Sequence, residues 1–170
     1  MSALRAAGLQ PTHRGRVAEI LRSTQLFRDE EVDVALELFD EGSLKPNTDY
    51  SLLGLFDDAG ALIGFACYGP TPDTDRTYDL YWIAVHAEAQ GAGAGTVLLN
   101  EVERRLRDDD ARLLVIETSS RADYAATRGF YARRGYVEAA RVGHFYAPDD
   151  DRIIFTKRFV RPREGAGVVS

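Results

Sequence analysis

Residues 90–95 read Gln-Gly-Ala-Gly-Ala-Gly and open a segment that otherwise has the pattern of an amphipathic helix, with Leu98, Val102 and Leu106 on one stripe. A glycine in a helix interior costs about 1 kcal/mol relative to alanine. Three of them at a helix start therefore need a reason. A helix N-terminus carries unpaired N–H groups and partial positive charge. Gly91, Gly93 and Gly95 let a backbone approach an anion closely and permit turn conformations closed to other residues. That chemistry is a phosphate cradle. No lysine follows Gly95, so the segment is not a P-loop, and G-x-G-x-G is not the G-x-G-x-x-G dinucleotide fingerprint. A turn of small residues built for close packing is the alternative, and the glycines alone do not choose.

Other residues with chemical potential flank this segment. Asp79 and Tyr81 are two apart on a strand and project to one face, with Trp82 and His86 on the other. Asp79 can accept a proton directly or through water, or anchor a neighbouring N–H or arginine. Trp82 reads as core. Tyr131 follows Phe130 on a later helix. If Phe130 points to the core, Tyr131 is turned about 100° toward the edge of a cleft. A phenol with a reference pKa near 10 is protonated at neutral pH and can donate; the alternative is that Tyr131 only packs. Tyr124, Arg128 and Tyr131 share a helix face. Tyr146 and Asp149–Asp151, with Asp73 and Asp75, can recognise a cation or can simply keep loops soluble.

The elements that must position these residues follow from hydrophobic period. Leu4–Ala7 reads as a short edge strand. Helices are expected over 14–23 and 29–41, the second stopped by Gly42. Ser51–Phe56 and the segment 61–69 read as a hairpin around Asp57–Gly60. Thr77–His86 is a third strand, the glycine-led helix follows, and Arg112–Ser120 is a largely apolar buried strand. A helix over 121–134 starts at a Ser120/Asp123 capping box and stops at Gly135. Two antiparallel strands around the loop 143–151 end the pattern. Glu101 with Arg105, and Glu103 with Arg107, read as pairs on a wet helix face. Asp108–Asp110 reads as a solvated turn without metal-ligand spacing. Together this is an α+β, or mixed α/β, three-layer fold around one sheet.

The chain has 170 residues, 45% hydrophobic and 28% charged, which suits one domain with a real core. We expect that domain over 1–160 and a disordered tail over 161–170. The formal net charge of −6 argues against general nucleic-acid binding and is compatible with a cationic substrate. No apolar run reaches the roughly 20 residues of a membrane span, and no signal-peptide pattern opens the chain. The single cysteine, Cys67, sits in an apolar setting and reads as a small buried hydrophobe. The expected compartment is the cytoplasm.

Three pieces in order, the strand Tyr81–His86, the run Gln90–Gly95 as Gln/Arg-x-x-Gly-x-Gly/Ala, and FYARRGY at 130–136, resemble the Gcn5-related N-acetyltransferase superfamily. Longer stretches, 20–42, 77–86 and 145–151, resemble one bacterial subgroup of it. The resemblance covers about 52–159. It implies a mostly antiparallel sheet in which two parallel strands, 77–86 and 112–118, splay apart to admit acetyl-CoA. The backbone of Ile83, Ala84 and Val85 would pair with the pantetheine arm. The N–H groups of Gly91, Ala92, Gly93, Ala94, Gly95 and Thr96 would hold the pyrophosphate, and Gln90 would close the loop. A backbone N–H near Val85 would stabilise developing negative charge. Tyr131 would protonate the leaving thiolate. Asp79 is the expected base, directly or through water, with Tyr81, which stands where a glutamate is often found, as the other catalytic candidate on that strand. Tyr124 replaces the asparagine that often contacts pantetheine, and Thr127 a common alanine. Tyr146 and Asp150 would meet the amine acceptor, at an end built from the first two helices and the last loop. The expectation is an N-acetyltransferase, monomeric or homodimeric, using acetyl-CoA and an amine, with no metal, nucleic acid or membrane partner. A non-catalytic acyl-CoA-binding module and a nucleotide-phosphate binder are the competing readings.

Overall fold

The computed structural model describes residues 3–45 and 48–160; the expected tail lies outside them. Strand β1, Arg5–Gly8, opens the chain. A 3-10 turn led by Pro11 then feeds helix α1, Arg14–Ser23, which buries Val17, Ala18, Ile20 and Leu21. Proline suits that first position because its missing N–H has no helical partner to lose. Helix α2, Asp29–Leu44, carries Asp29, Glu30 and Glu31 in its first turn, where carboxylates favour the helix dipole. Glu31 accepts a hydrogen bond from the Arg28 N–H at 2.7 Å. Gly42 does not stop this helix. A Cβ there would lie 3.0 Å from the Leu52 side chain, so its smallness serves packing of helix on sheet.

Strands β2, Ser51–Phe56, and β3, Leu62–Pro70, form the expected hairpin. The Asp57 carboxylate ties its turn by accepting from the Ala59 and Ala61 N–H groups at 3.0 and 2.8 Å. Strand β4 spans Thr77–Val85, helix α3 Ala94–Asp108 and strand β5 Leu113–Ser119. A 3-10 turn at Ala122–Tyr124 precedes helix α4, Ala125–Arg133. Strands β6, Val137–Ala147, and β7, Asp150–Arg158, complete a seven-stranded sheet in the order β1-β2-β3-β4-β5-β7-β6. Among the described residues only β4 and β5 run parallel. The segment 143–147, expected as loop, is strand, because β6 bulges between Val142 and Ala147 and stays paired to β7.

The sheet is covered on both sides. One core joins α3, through Leu98, Leu99, Val102 and Leu106, to Leu80, Val85, Leu114 and Tyr131. The other joins α1 and α2 to Phe56, Phe65 and Ala84. Glu103 is a correction. It is 3% exposed rather than on a wet face, and Lys157 reaches its carboxylate at 2.5 Å while Arg107 stands at 4.0 Å.

Two irregularities in β4 prepare the site. Its ladder with β5 runs only from Thr77↔Leu113 to Leu80↔Ile116, whereas β5 stays paired to β7 as far as Ser119. Beyond Leu80 the two parallel strands part. At the same place Cys67 pairs with Trp82 and Tyr68 with Leu80, which leaves Tyr81 as the extra residue of a bulge. The bulge resets the alternation. Leu80 and Ile83 pack against the α3 core, while Trp82 packs against the α1–α2 core.

Candidate active site

The glycines at 91–95 serve two different needs. Gly91 and Gly93 have φ of +85° and +79°, and Gly93 is the N-cap of α3. Backbone of that hand suits glycine. Nothing lies within 4 Å of a Cβ built on either. Gly95 is ordinary helix, and a Cβ there would touch the Phe130 ring at 3.5 Å. The close-packing explanation therefore holds for Gly95, and the turn explanation for the other two. Gln90 donates from Nε2 to the Val85 carbonyl at 3.1 Å, which closes the loop onto the end of β4.

A cavity of about 680 Å³ runs from this helix start into the split between β4 and β5. Ile83, Ala84 and Val85 form one side; Gln90, Gly91, Gly93, Ala94, Gly95 and Thr96 form its end. Ala92 is not on this wall. Arg133 and Arg134, at the end of α4, also line the cavity, and no local pattern in the sequence marks them. Arg134 stacks on Phe130 with its guanidinium 3.6 Å from the ring centroid. It donates to the Phe130 carbonyl at 2.8 Å and to the Thr96 hydroxyl. A fixed cation beside a helix N-terminus strengthens an anion cradle. The open positive-φ turn, the unpaired edge of β4 and this cation fit a long ligand with a phosphate group.

A second cavity, about 410 Å³, continues on the other side of the split. Its wall includes Tyr81, Trp82 and Ile83 from β4, Glu117–Ser119 from β5, Glu30 and Glu31 from α2, and Tyr124, Tyr146 and Asp150. The two cavities share Leu26, Phe27, Ile83, Thr127 and Tyr131. Arg121 closes the space between them and the α1–α2 loop by donating to the Leu26 carbonyl at 3.0 Å.

Several expectations change here. Tyr124 faces the smaller cavity and is absent from the wall of the larger one. It ends the 3-10 turn, under the Arg121 guanidinium at 5.0 Å, so it precedes the helix face it was expected to share. The Ser120/Asp123 capping box does not form, because the Ser120 hydroxyl accepts the Asp151 N–H at 2.7 Å. Of the acidic run only Asp150 faces the cavity. Asp151 is paired with Arg141 at 3.0 Å, and Asp149 is exposed. Asp73 and Asp75 lie on neither wall. Trp82 shares the cavity side with Tyr81 because of the bulge, and packs edge-on against Phe27 at 5.1 Å.

Asp79 and Tyr81 do share a face. A Cβ on Gly69, the partner of Asp79, would approach the Tyr81 ring at 3.5 Å. Asp79 is not itself on a cavity wall; it accepts from the Thr71 hydroxyl at 2.7 Å. Burial, with Asp79 adding repulsion, pushes the Tyr81 phenol up to about 12. Tyr131 is 3% exposed and the more buried of the Phe130–Tyr131 pair, reversing the expected roles. Its ring meets Tyr136 at 5.6 Å and Phe155 at 6.0 Å, which fixes it below the point where the cavities join. Burial raises its phenol above the ordinary tyrosine value, so it is a proton donor at neutral pH. Cys67 is buried in β3, and burial pushes its thiol up to about 12. Among the described residues no cluster of three or more His, Cys, Asp or Glu side chains is placed to hold a metal ion.

A split parallel pair with a glycine-led helix start at its end is the architecture of acyl-CoA-dependent acyltransferases of one large family. Residues 14–136 match the acetyltransferase (GNAT) family, and the chain belongs to it. A GNAT-family protein of known structure from Desulfovibrio desulfuricans is 42% identical, with a TM-score of 0.84 over 93% of this chain and 99% of that one. More distant structures share the fold. The ribosomal-protein-S18-alanine N-acetyltransferase of Escherichia coli is 20% identical, with a TM-score of 0.76 over 96% of this chain and 98% of its own. YncA from Salmonella typhimurium, solved with its cofactor acetyl-CoA, is 18% identical, with a TM-score of 0.72 over 95% and 96%. No match is found among the curated proteins. Among the described residues no helix is long and apolar enough to cross a membrane.

Proposed function

We propose that this chain transfers an acetyl group from acetyl-CoA to a primary amine by direct attack, with both substrates bound at once. The observation that carries the reading is the meeting of two cavities at Ile83 and Tyr131, one suited to a phosphate-bearing thioester and the other to an acceptor. Acetyl-CoA, when bound, supplies a thioester carbonyl. The turn at Gly91–Thr96 and the guanidinium of Arg134 hold its pyrophosphate, and the open edge of β4 at Ile83–Val85 aligns its arm. Tyr81 and Trp82 orient the amine. Asp79 accepts the amine proton through water, since its carboxylate stands behind Tyr81 on the same face. The nitrogen forms its bond to the carbonyl carbon, the carbon–sulfur bond breaks, and the Tyr131 hydroxyl gives its proton to the sulfur. Cys67 is buried in β3, lines neither cavity and takes no part.

A thiol-release assay with acetyl-CoA over amines, amino acids, polyamines, aminoglycosides and peptides tests this, with acetylated product identified by mass. Amine-dependent release is the expected result. Tight acetyl-CoA binding without release across the panel would replace it with a non-catalytic acyl-CoA-binding module. Displacement of CoA by ATP at equal concentration would point instead to a nucleotide-phosphate binder.

A further inference from the structure

The acceptor cavity is divided by polarity. Near the junction its wall is Phe27, Trp82, Ile83 and Tyr131; farther out, Asp150, Glu117 and Glu31 arrive from three separate elements, β7, β5 and α2. All three carboxylates act on the Tyr146 phenol, which they and burial hold above its ordinary value. Two of the three already have a cation. Glu31 lies 3.7 Å from the Arg28 guanidinium, and Glu117 pairs with Arg152. Arg121, the other cation on the wall, is held by Asp123 at 3.2 Å and acts on Asp150 only from beyond ion-pair distance. Asp150 differs. It is 9% exposed, faces the cavity, receives a hydrogen bond from the Ser119 hydroxyl, and has no cation within ion-pair distance among the described residues. A carboxylate so withdrawn from water needs more than one hydroxyl to offset its lost hydration.

The two ends place opposite demands on nitrogen. The attacking amine must be neutral, which suits the apolar wall by Tyr131. Asp150 calls for a nitrogen that stays charged. One nitrogen cannot meet both demands at once. We propose that the acceptor is a small aliphatic diamine or polyamine, its reacting nitrogen at the Ile83–Tyr131 junction and its second ammonium on Asp150 beside Tyr146. This rests on the acetyl-transfer reading above. A cavity of about 410 Å³ holds such a chain without a macromolecule attached.

Diaminobutane, butylamine and γ-aminobutyrate keep one alkyl chain and change only the distal group from cation to methyl to anion. Each is to be measured on the wild-type protein in two ways: calorimetric binding to the CoA-saturated protein, and thiol release with acetyl-CoA. Diaminobutane should bind at least about tenfold more tightly than butylamine, the factor that 1.4 kcal/mol represents, and γ-aminobutyrate more weakly still. Asp150→Asn keeps the shape and removes the charge, and should shrink the diaminobutane-to-butylamine ratio by about tenfold, with thermal unfolding as a check that the variant is folded. Butylamine or γ-aminobutyrate binding as tightly as diaminobutane overturns the inference on wild-type protein alone. An unchanged ratio in folded Asp150→Asn overturns the role of Asp150. If none of the three binds, the diamine inference falls, and thiol release on the broader panel still decides the transfer reading. If diaminobutane binds as expected but no thiol is released, the recognition stands and the transfer reading falls.

Discussion

Tyr131 is where the two cavities and the protein core meet, so its hydroxyl is both dry and adjacent to the reacting space. Replacing it by phenylalanine keeps the ring against Tyr136 and Phe155 and removes only the proton. Tyr131→Phe should lower kcat by about 10²- to 10⁴-fold while acetyl-CoA affinity stays near wild type. Single-turnover kinetics, in which product release plays no part, are the measurement; near-normal rates would leave Tyr131 as packing. Cys67 offers a second check on the site's chemistry. The reactive form of cysteine is the thiolate, and burial holds this thiol protonated with a value of about 12. A thiol-labelling reagent at pH 8 should leave the folded protein unmodified and add one equivalent once guanidinium unfolds it. Rapid labelling of the native state would contradict the burial of β3.

The loop from Gln90 to the first turn of α3 works as a unit. The left-handed conformation costs a side-chain-bearing residue about 1–2 kcal/mol, and asparagine tolerates it better than most. Gly93, at φ +79° with open space above it, therefore separates conformation from access. Gly93→Asn should fold normally and still lose CoA affinity, because its side chain fills the open space over the turn. Gly93→Val should lose at least about tenfold, with an unfolding temperature lower by only a few degrees. CoA titration calorimetry that gives the same affinity for the valine variant would remove Gly93 from the cofactor site. Farther along α3, Glu103 is tied to Lys157 of β7 across the core edge. Lys157→Met leaves a buried carboxylate without its nearer cation, with only Arg107 at 4.0 Å remaining. Breaking such a pair costs about 3–5 kcal/mol when fully buried, and about 1–3 kcal/mol is expected here because the Lys157 side chain is 22% exposed. Urea unfolding measures it, and an unchanged midpoint would show the pair to be inert.

Among the described residues folding displaces more tyrosines than any other ionisable type, and it displaces Cys67 in the same direction. Burial raises Tyr131, Tyr136 and Tyr68, and holds Tyr124 and Tyr81 up to about 12. In the unfolded chain these phenols ionise near 10. Above about pH 10 the unfolded state has lost protons that the folded state keeps, so stability falls as pH rises through that range and is fully present below it. The unfolding temperature should begin to fall near pH 9, where the unfolded chain's thiol ionises while Cys67 keeps its proton, and drop steeply toward pH 11 as the phenols follow. Tyr136→Phe should make the drop shallower. A level curve to pH 11 would mean that these phenols titrate freely in the folded protein.

What the sequence determined by itself was local and periodic. The amphipathic stripes placed α1 and α3, the change from helical to alternating period placed the hairpin, and the glycine pattern marked one helix start as a candidate anion site. These features are written in neighbouring residues, because a helix turn or a strand pleat repeats over a few positions. The match of strand, glycine run and FYARRGY in order was specific enough to carry the family. The tertiary structure decided what depends on partners far along the chain. The bulge at Tyr81 follows from β4 pairing with β3 one residue out of step, and it turned Trp82 onto the same side as Tyr81, toward the smaller cavity. The extra length of β6 follows from its bulged pairing with β7, which starts β7 at Asp150, leaves Asp149 in the turn at φ +61° and sends Asp151 to the opposite face of the strand. Glu103 became buried because Lys157 lies across from it. Arg134 came to the cradle because the end of α4 packs beside the start of α3. None of these has a period of two or 3.6 residues, so none leaves a mark in the local pattern. Each is set by which strand or helix the fold brings alongside.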